Sequence, residues 1–372
     1  MNSERKHIAK VIISGGGTGG HIFPAIAIAN EIKSRNPKAD ILFVGALGRM
    51  EMTKVPEAGY EIIGLPISGL QRKLTFSNFL LPFKILKSLF MAKRVIKEFQ
   101  PELVIGVGGY ASGPTLKVAS ILKVPTLIQE QNSYPGKTNI LLSKKASLIC
   151  TAYEGLSKFF PEDKIRFTGN PVRKDLSERN IDRNEAHQVF GLDPSHKTIL
   201  ILGGSLGAKT LNDAMIGMLD SKDQNNYQYI WQCGKYYFEA LSSMVSEEKH
   251  PNIKLLAFIS RMDAAYAAAD LIVSRAGALS VSELCLVGKP VILVPSPNVS
   301  EDHQTKNAMS LVNSEAAVLV KDAEAQKELI HKAKELLVNE EQSTKLAKNI
   351  LSLARPNATV EIVDESESII AY

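Results

Sequence analysis

The sequence predicts an α/β protein built from two doubly wound, Rossmann-like domains facing each other across a cleft. Three observations predict it. Short apolar runs rich in β-branched residues alternate with helical patterns from end to end, the rhythm of buried parallel strands covered by helices. A strand–glycine-loop–helix opening occurs twice, as KVIISGGGTGGHIFPAIAIA near the start and as KTILILGGSLGAKTLNDAM in the second half. A chain of 372 residues also exceeds what one ordinary hydrophobic core fills.

In chain order the expected strands are Val11–Ser14, Ile41–Gly45, Leu103–Val107, Thr126–Gln129 and Leu148–Thr151, then Thr198–Leu202, Tyr229–Gln232, Ile253–Leu256, Leu271–Ser274 and Val291–Val294. Each is a run of four or five mostly apolar residues, as a strand buried on both faces requires. Patterns such as Pro24–Arg35 and Ser280–Val287 read as the intervening helices. The join falls near Thr168–Arg173, where TGNPVR carries Gly and Pro after a strand, and a charged segment of low periodicity follows. Residues 1–168 are therefore expected to form the first domain and 169–354 the second. The helical pattern after Pro356 is expected to bring residues 355–372 back onto the first.

With 45% hydrophobic and 22% charged residues, composition excludes a disordered or fibrous chain. Three widely separated cysteines (Cys150, Cys233, Cys285) argue against a disulfide framework or structural zinc site and point to a reducing cytoplasm. The N-terminal stretch lacks a signal peptide's apolar region and cleavage site, and no run of about 18 apolar residues offers a membrane-spanning helix. The net charge of +5 hides +11 over residues 1–170 and −6 over 171–372. Such asymmetry either marks a half that faces an anionic partner or is chance scatter between two domains.

Gly15 to Gly20 (GGGTGG) fits G-x-G-x-x-G between a strand and a helix, where backbone amides and a helix N-terminus receive phosphate or sugar. A dinucleotide fingerprint also needs an acid at the end of the second strand, but that strand ends Phe43-Val44-Gly45-Ala46-Leu47, with Asp40 at its other end. Two more glycine-rich turns, Gly106–Pro114 and Gly203–Ala208, imply more than one phosphate-bearing group to hold.

His21 follows the first loop at a helix start, where the ring is disfavoured as imidazolium and reads either as a proton acceptor or as a local cap. Arg275–Glu283 (RAGALSVSE) lies at another strand-to-helix junction suited to a diphosphate. Glu283, three residues after Ser280, reads either as half of a capping box or as the acceptor for a ribose diol. His303 and Gln304 sit in a polar loop suited to sugar hydroxyls, and no D-x-D pattern indicates a metal.

Residues 71–97 contain seven basic residues (Arg72, Lys73, Lys84, Lys87, Lys93, Arg94, Lys97) and no acid. Phe79, Leu80, Phe83, Leu86 and Phe90 approximate one helical face. The segment reads either as one lying on an anionic membrane surface or as a core-packed helix with solvated lysines. No nucleic-acid-binding motif accompanies the charge, so no nucleic-acid partner is expected.

GGGTGGHIFPAIAIA (Gly15–Ala29), GGYASGP (Gly108–Pro114), EQN (Glu130–Asn132), GNPVR (Gly169–Arg173), GGSLGA (Gly203–Ala208) and RAGALSVSE, in this order and spacing, resemble the MurG family of N-acetylglucosaminyltransferases over nearly the whole chain. That family makes the lipid-linked disaccharide-peptide precursor of bacterial peptidoglycan. The resemblance implies GT-B architecture, with the acceptor and membrane surface met by the first domain and the UDP-sugar held by the second. It implies no cofactor and no metal. The donor UDP-GlcNAc is implied at Thr18, Gly19, Gly20, Asn132, Arg173, Ser205, Ile259, Ala278, Leu279, Ser280, Val281, Ser282, Glu283 and Gln304. Within that set Glu283 would hold the ribose, Ile259 and Arg173 the uracil end, Ser205 and Ser280 the diphosphate, and Asn132 and Gln304 the GlcNAc. His21 and Glu130 fall near the acceptor and the chemistry, either being the base. The implied acceptor is an undecaprenyl-linked lipid, met at the cytoplasmic face of the inner membrane by a peripheral protein. Leu206 stands where some members have Gln, Ser280 where they have Thr, and Gln129 where His is common. A nicotinamide-dependent oxidoreductase would explain the first loop alone, and a silent membrane-surface scaffold only the basic segment.

Overall fold

The computed structural model describes residues 7–68, 81–172, 181–204, 206–219 and 227–370, with Ser300 described by its backbone alone. The chain divides into two compact units, Met1–Val172 with Arg355–Tyr372, and Arg173–Ala354.

The first unit runs β1 (Lys10–Gly15), α1 (Gly19–Arg35), β2 (Asp40–Ala46), α2 (Glu51–Glu57), β3 (Glu61–Leu65), α3 (Leu81–Phe99), β4 (Leu103–Gly108), α4 (Ser112–Ile121), β5 (Thr126–Glu130), α5 (Lys137–Ser143), β6 (Leu148–Thr151) and β7 (Ile165–Phe167). Its seven strands form one sheet in the order β3-β2-β1-β4-β5-β6-β7, every pairing parallel. The pleat sorts side chains by parity. Val11 and Ile13 pack with Ile22, Ala25 and Ile28 of α1, while Ile12 packs with Val95, Ile96 and Leu116 of α3 and α4. Both faces are covered, which is why the interior strands are apolar without alternation.

The second unit runs α6 (Arg183–Phe190), β8 (Thr198–Leu202), α7 (Lys209–Ile216), β9 (Gln228–Gln232), α8 (Lys235–Ser242), β10 (Ile253–Leu256), α9 (Met262–Ala268), β11 (Leu271–Ser274), α10 (Ala278–Val287), β12 (Val291–Leu293), α11 (His303–Val312), β13 (Val318–Leu319), α12 (Asp322–Val338) and α13 (Glu340–Ser352). Its six strands are again parallel, in the order β10-β9-β8-β11-β12-β13. Tyr229 and Trp231 are fully buried at its centre, beside Leu211 and Met215 of α7.

The last helix, α14 (Ala358–Ile370), packs on α1 of the first unit. Arg35, near the end of α1, holds it: its guanidinium meets Glu31 at 3.0 Å, Asp364 at 2.8 Å and Glu367 at 3.0 Å, and donates to the Val360 carbonyl. Three carboxylates around one half-buried fork make these charge-assisted bonds, each contributing about 1.5–3 kcal/mol.

In both sheets the chain order reverses beside the first strand, between β1 and β4 and between β8 and β11. Ligands of open α/β sheets bind outside the carboxyl ends of the strands at such a reversal. The glycine loops Gly15–Gly20 and Gly108–Gly113 follow β1 and β4; Gly203–Ala208 and Arg275–Gly277 follow β8 and β11.

Candidate functional site

In the first unit the loops after β1 and β4 interlock through their backbones. Gly109 has φ +87°, and a Cβ there would lie 2.4 Å from the Gly16 carbonyl oxygen, so only glycine allows the approach. Ser112 ties the loops from below: its hydroxyl stands 2.7 Å from the Ser14 carbonyl and 2.9 Å from that of Gly108. His21 sits in the first turn of α1 with Nδ1 3.1 Å from the Gly16 carbonyl. A carbonyl only accepts, so Nδ1 carries the proton and, in the neutral ring, Nε2 carries the lone pair. The Nε2 edge lies against Gly108.

Glu130 ends β5, fully buried, with both oxygens engaged. Oε1 accepts the Asn132 amide N–H at 3.0 Å and its side-chain NH2 at 3.3 Å; Oε2 accepts Gly136 N–H at 3.1 Å and Asn139 Nδ2 at 2.7 Å. Burial pushes this carboxyl up from its ordinary value, against the downward pull of its four donors. The arrangement is that of a carboxylate shaping the 131–136 turn and the start of α5. Beside it, Gln129 donates to Asn170, Asn170 to the Gln131 carbonyl, and Gln131 to the Val107 carbonyl and to Gln129.

In the second unit the third glycine loop is clamped by Gln232, at the end of β9. Its Oε1 accepts Gly204 N–H at 3.0 Å and its Nε2 donates to Gly204 O at 2.8 Å. A Cβ on Gly207 would meet the Cys233 carbonyl at 2.1 Å, so this loop also lies directly on the turn after its neighbouring strand. After β11, Arg275 points away from the loop to the Val294 carbonyl and Asp322, which also accepts from Thr210. The N-cap of α10 is Gly277, which places Ser280 inside the first turn. The capping-box reading of Ser280 and Glu283 therefore falls, because Ser280 is not the cap. Glu283 is half-buried in the next turn, 3.4 Å from the Tyr266 hydroxyl. Ser282 bonds back to the Ala278 carbonyl. Gln304 accepts the Ser296 amide at 2.8 Å in the first turn of α11, and Ile259 is buried, so that it offers a ligand its backbone alone. His303 is shifted below its ordinary value, by burial first and by Lys306 second.

Thr18, Gly19, Gly20, His21, Glu130 and Asn132 thus gather at the carboxyl edge of the first sheet. Ile259, Ala278–Glu283 and Gln304 lie at that of the second. Arg173 and Ser205 lie outside the described residues, as do Arg72, Lys73, Phe79 and Leu80 of the basic segment. Sequence reasoning missed Glu51, Gln232 and Tyr266, none of which stands next to the loop or carboxylate it touches.

The expectation that the aromatic face of the basic segment either joins the core or meets a membrane is narrowed by α3. Its core side is Ser88, Ala92, Val95 and Ile96, whereas Phe83, Leu86 and Phe90 are 71%, 54% and 72% exposed. The core-packed reading is therefore wrong for these three side chains.

The N-terminal domain model of glycosyltransferase family 28 matches residues 11–151, and its C-terminal domain model matches residues 198–361. A Flavobacterium psychrophilum protein named UDP-N-acetylglucosamine–N-acetylmuramyl-(pentapeptide) pyrophosphoryl-undecaprenol N-acetylglucosamine transferase is 57% identical, over 96% of each chain. A Porphyromonas gingivalis protein of the same name is 52% identical over all of this chain and 99% of its own. The crystal structure of Acinetobacter baumannii MurG superposes with a TM-score of 0.77 at 32% identity, covering 96% of this chain and 99% of that one. A Neisseria meningitidis UDP-GlcNAc 2-epimerase, at 16% identity and a TM-score of 0.67, shares the fold. With both domain models matched and relatives more than half identical over nearly their full length, the chain belongs to glycosyltransferase family 28 and, within it, to the MurG family.

Proposed function

We propose that the chain transfers N-acetylglucosamine from UDP-N-acetylglucosamine to the 4-hydroxyl of N-acetylmuramic acid in undecaprenyl-pyrophosphoryl-MurNAc-pentapeptide. The relatives' names support this donor and acceptor. An α-linked donor giving a β-linked product inverts the anomeric carbon in a single displacement. The acceptor oxygen bonds to C1 as the C1–O bond to UDP breaks, its electron pair leaves with the diphosphate, and the hydroxyl proton goes to a base.

One observation carries the mechanism: the Gly16 carbonyl orients His21 so that Nε2 is the proton-accepting atom at the carboxyl edge of the first sheet. His21 is the base in this reading, and Glu130, already holding four donors, shapes the loop that presents Asn132. Thr18, Gly19, Gly20, Asn132 and Gln304 address the sugar, and Glu283 the ribose. Ile259 and Arg173 meet the uracil. The amides of Ala278–Ser280, with Ser205 and Ser280 hydroxyls, hold the leaving diphosphate at the N-terminus of α10, with Val281 and Ser282 completing that turn. Labelled UDP-GlcNAc incubated with the lipid acceptor tests the activity. His21→Ala is expected to lose roughly 10²–10⁴ in turnover while binding UDP-GlcNAc as before, and retention of most turnover removes His21 as base.

The protein is read as peripheral to the cytoplasmic face of the membrane that holds its acceptor, with an anionic lipid surface as partner and no nucleic acid. Among the described residues no helix is long and apolar enough to cross a membrane. The exposed Phe83, Leu86 and Phe90 lie among Lys84, Lys87, Lys93 and Arg94, and the same helical layer continues through exposed Ile121 and Leu141 with Lys117, Lys144 and Lys145.

A further inference from the structure

A buried carboxylate lies beneath the first glycine loop. Glu51, the first residue of α2, is 1% exposed. Its Oε2 accepts Gly17 N–H at 2.7 Å and its Oε1 accepts Ala46 N–H at 2.9 Å. Each oxygen accepts from a backbone N–H, which is the pattern of an ionised group. Two glycines make the slot it occupies: a Cβ on Gly16 would run into the carboxyl group, and one on Gly45 would lie 2.6 Å from Cγ. The side chain is therefore confined from both sides and bears directly on the loop.

The loop-side bond and the bond to His21 belong to one peptide unit. Gly17 N–H, held by Glu51, and Gly16 C=O, 3.1 Å from His21 Nδ1, are the two ends of the Gly16–Gly17 peptide. That group is planar and rigid, so fixing its N–H fixes where its carbonyl points. The two bonds also polarise each other, because a carboxylate drawing on the N–H makes the carbonyl oxygen a stronger acceptor. At stake is the tautomer of His21. Thr18 Oγ1 lies 3.4 Å from the same ring nitrogen, and a hydroxyl can donate to a bare Nδ1, whereas the carbonyl requires Nδ1 to carry a proton. We infer that Glu51 is a positioning residue for the transfer: through the Gly16–Gly17 peptide it favours the Nδ1–H tautomer of His21, leaves the lone pair on Nε2, and stabilises the imidazolium formed when Nε2 takes the acceptor's proton. Carboxylate, peptide and imidazole act in series. The inference deepens the transfer reading above and rests on it for His21 as the base.

Nitrogen-15 NMR of the full chain, labelled at histidine, reads the tautomer without substrate. The parent is expected to show His21 protonated at Nδ1. Glu51→Gln, whose amide cannot accept from both N–H groups, is expected to show a mixture of tautomers. With labelled UDP-GlcNAc and the lipid acceptor, Glu51→Gln should lower kcat about 10–100-fold, as loss of an outer-shell orienting partner does, with the UDP-GlcNAc KM within about twofold. In a His21→Ala background the same change should cost less than about twofold, because the residue it acts through is gone. If Glu51 merely holds the loop in shape, the loss is equal in both backgrounds, and that result overturns the inference. So does a Glu51→Gln chain with the parental tautomer or the parental kcat. A parent His21 protonated at Nε2 alone overturns it as well, and that measurement needs no variant to fold. Retention of turnover in His21→Ala sinks the base assignment instead, and the tautomer comparison between parent and Glu51→Gln is read independently of it.

Discussion

Gly108 stands against the imidazole of His21: a Cβ added at Gly108 would lie 2.8 Å from both Nε2 and Cδ2 of the ring. The second glycine loop therefore sets how far the Nε2 edge of His21 can swing, while the Gly16 carbonyl holds Nδ1. His21 and the loop are in contact, so the proposed role of His21 as base can be tested through Gly108.

Gly108→Ala is expected to reduce turnover about 100-fold, because the methyl displaces the ring by roughly an ångström from its working position. Gly108 has φ +96°, so the substitution also strains the backbone by about 1 kcal/mol. UDP binding, assigned to the second unit, should be unchanged in calorimetry. A variant with parental turnover would show that this edge of His21 is not where the proton goes.

Glu130→Gln replaces one accepting oxygen by an NH2 that is turned toward one or more of the four donors. The cost is expected at about 2–4 kcal/mol, measured by urea unfolding. The pH dependence has a definite sign. Burial raises the folded-state value of this carboxyl above its unfolded value near 4.5, so the folded state holds the proton more tightly. The contribution of Glu130 is fully present below the unfolded value and is lost as pH rises through the folded one. The parent-minus-variant stability difference should therefore shrink as pH rises across that window, and a difference that grows would refute the burial argument.

The three cysteines are free and buried. Burial pushes the Cys233 thiol up to about 11 and that of Cys285 up to about 12, and Cys150 rises as well. The thiolate is the reactive form, so iodoacetamide at pH 8 should leave the native chain unlabelled. In urea it should add three groups by mass, and rapid native labelling would contradict the burial of these positions.

How much was legible follows from how far apart the cooperating residues lie. Interior strands such as Val11–Ser14 and Leu103–Val107 are visible because burial on both faces demands an unbroken apolar run. The edge strands Glu61–Leu65, Ile165–Phe167 and Val318–Leu319 were not read, being short or only partly buried and so free of that demand. The glycine loops announce themselves because the conformational need falls on adjacent residues. Their clamps do not. Glu51 lies 34 positions from Gly17 and Gln232 28 from Gly204. Strand pairing beside β8 and the turn after β2 bring them together, and a buried Glu or Gln in sequence looks like a solvated one.

The exposed face of α3 yields the last prediction. A basic amphipathic helix owes its affinity for an anionic surface to two separable terms, acyl-boundary burial of large apolar side chains and attraction of each nearby basic group, about 1 kcal/mol apiece. Reversing Lys84, Lys87, Lys93 and Arg94 to Glu should abolish binding to phosphatidylglycerol vesicles at low salt. Replacing Phe83, Leu86 and Phe90 by Ser should weaken it at every ionic strength, because burial of apolar area is not screened by salt while the charge term is. Apart from the Lys84–Ser68 hydrogen bond and the exposed Arg94–Glu98 pair, neither set of changes reaches the packed side of the helix, Ser88, Ala92, Val95 and Ile96, so melting temperatures should fall by only a few degrees. Turnover of a soluble, short-chain acceptor should persist in both, since neither touches the loops that carry the chemistry. Vesicle sedimentation at two salt concentrations separates the terms, and unchanged binding in the charge-reversed chain would mean that this face meets no anionic surface.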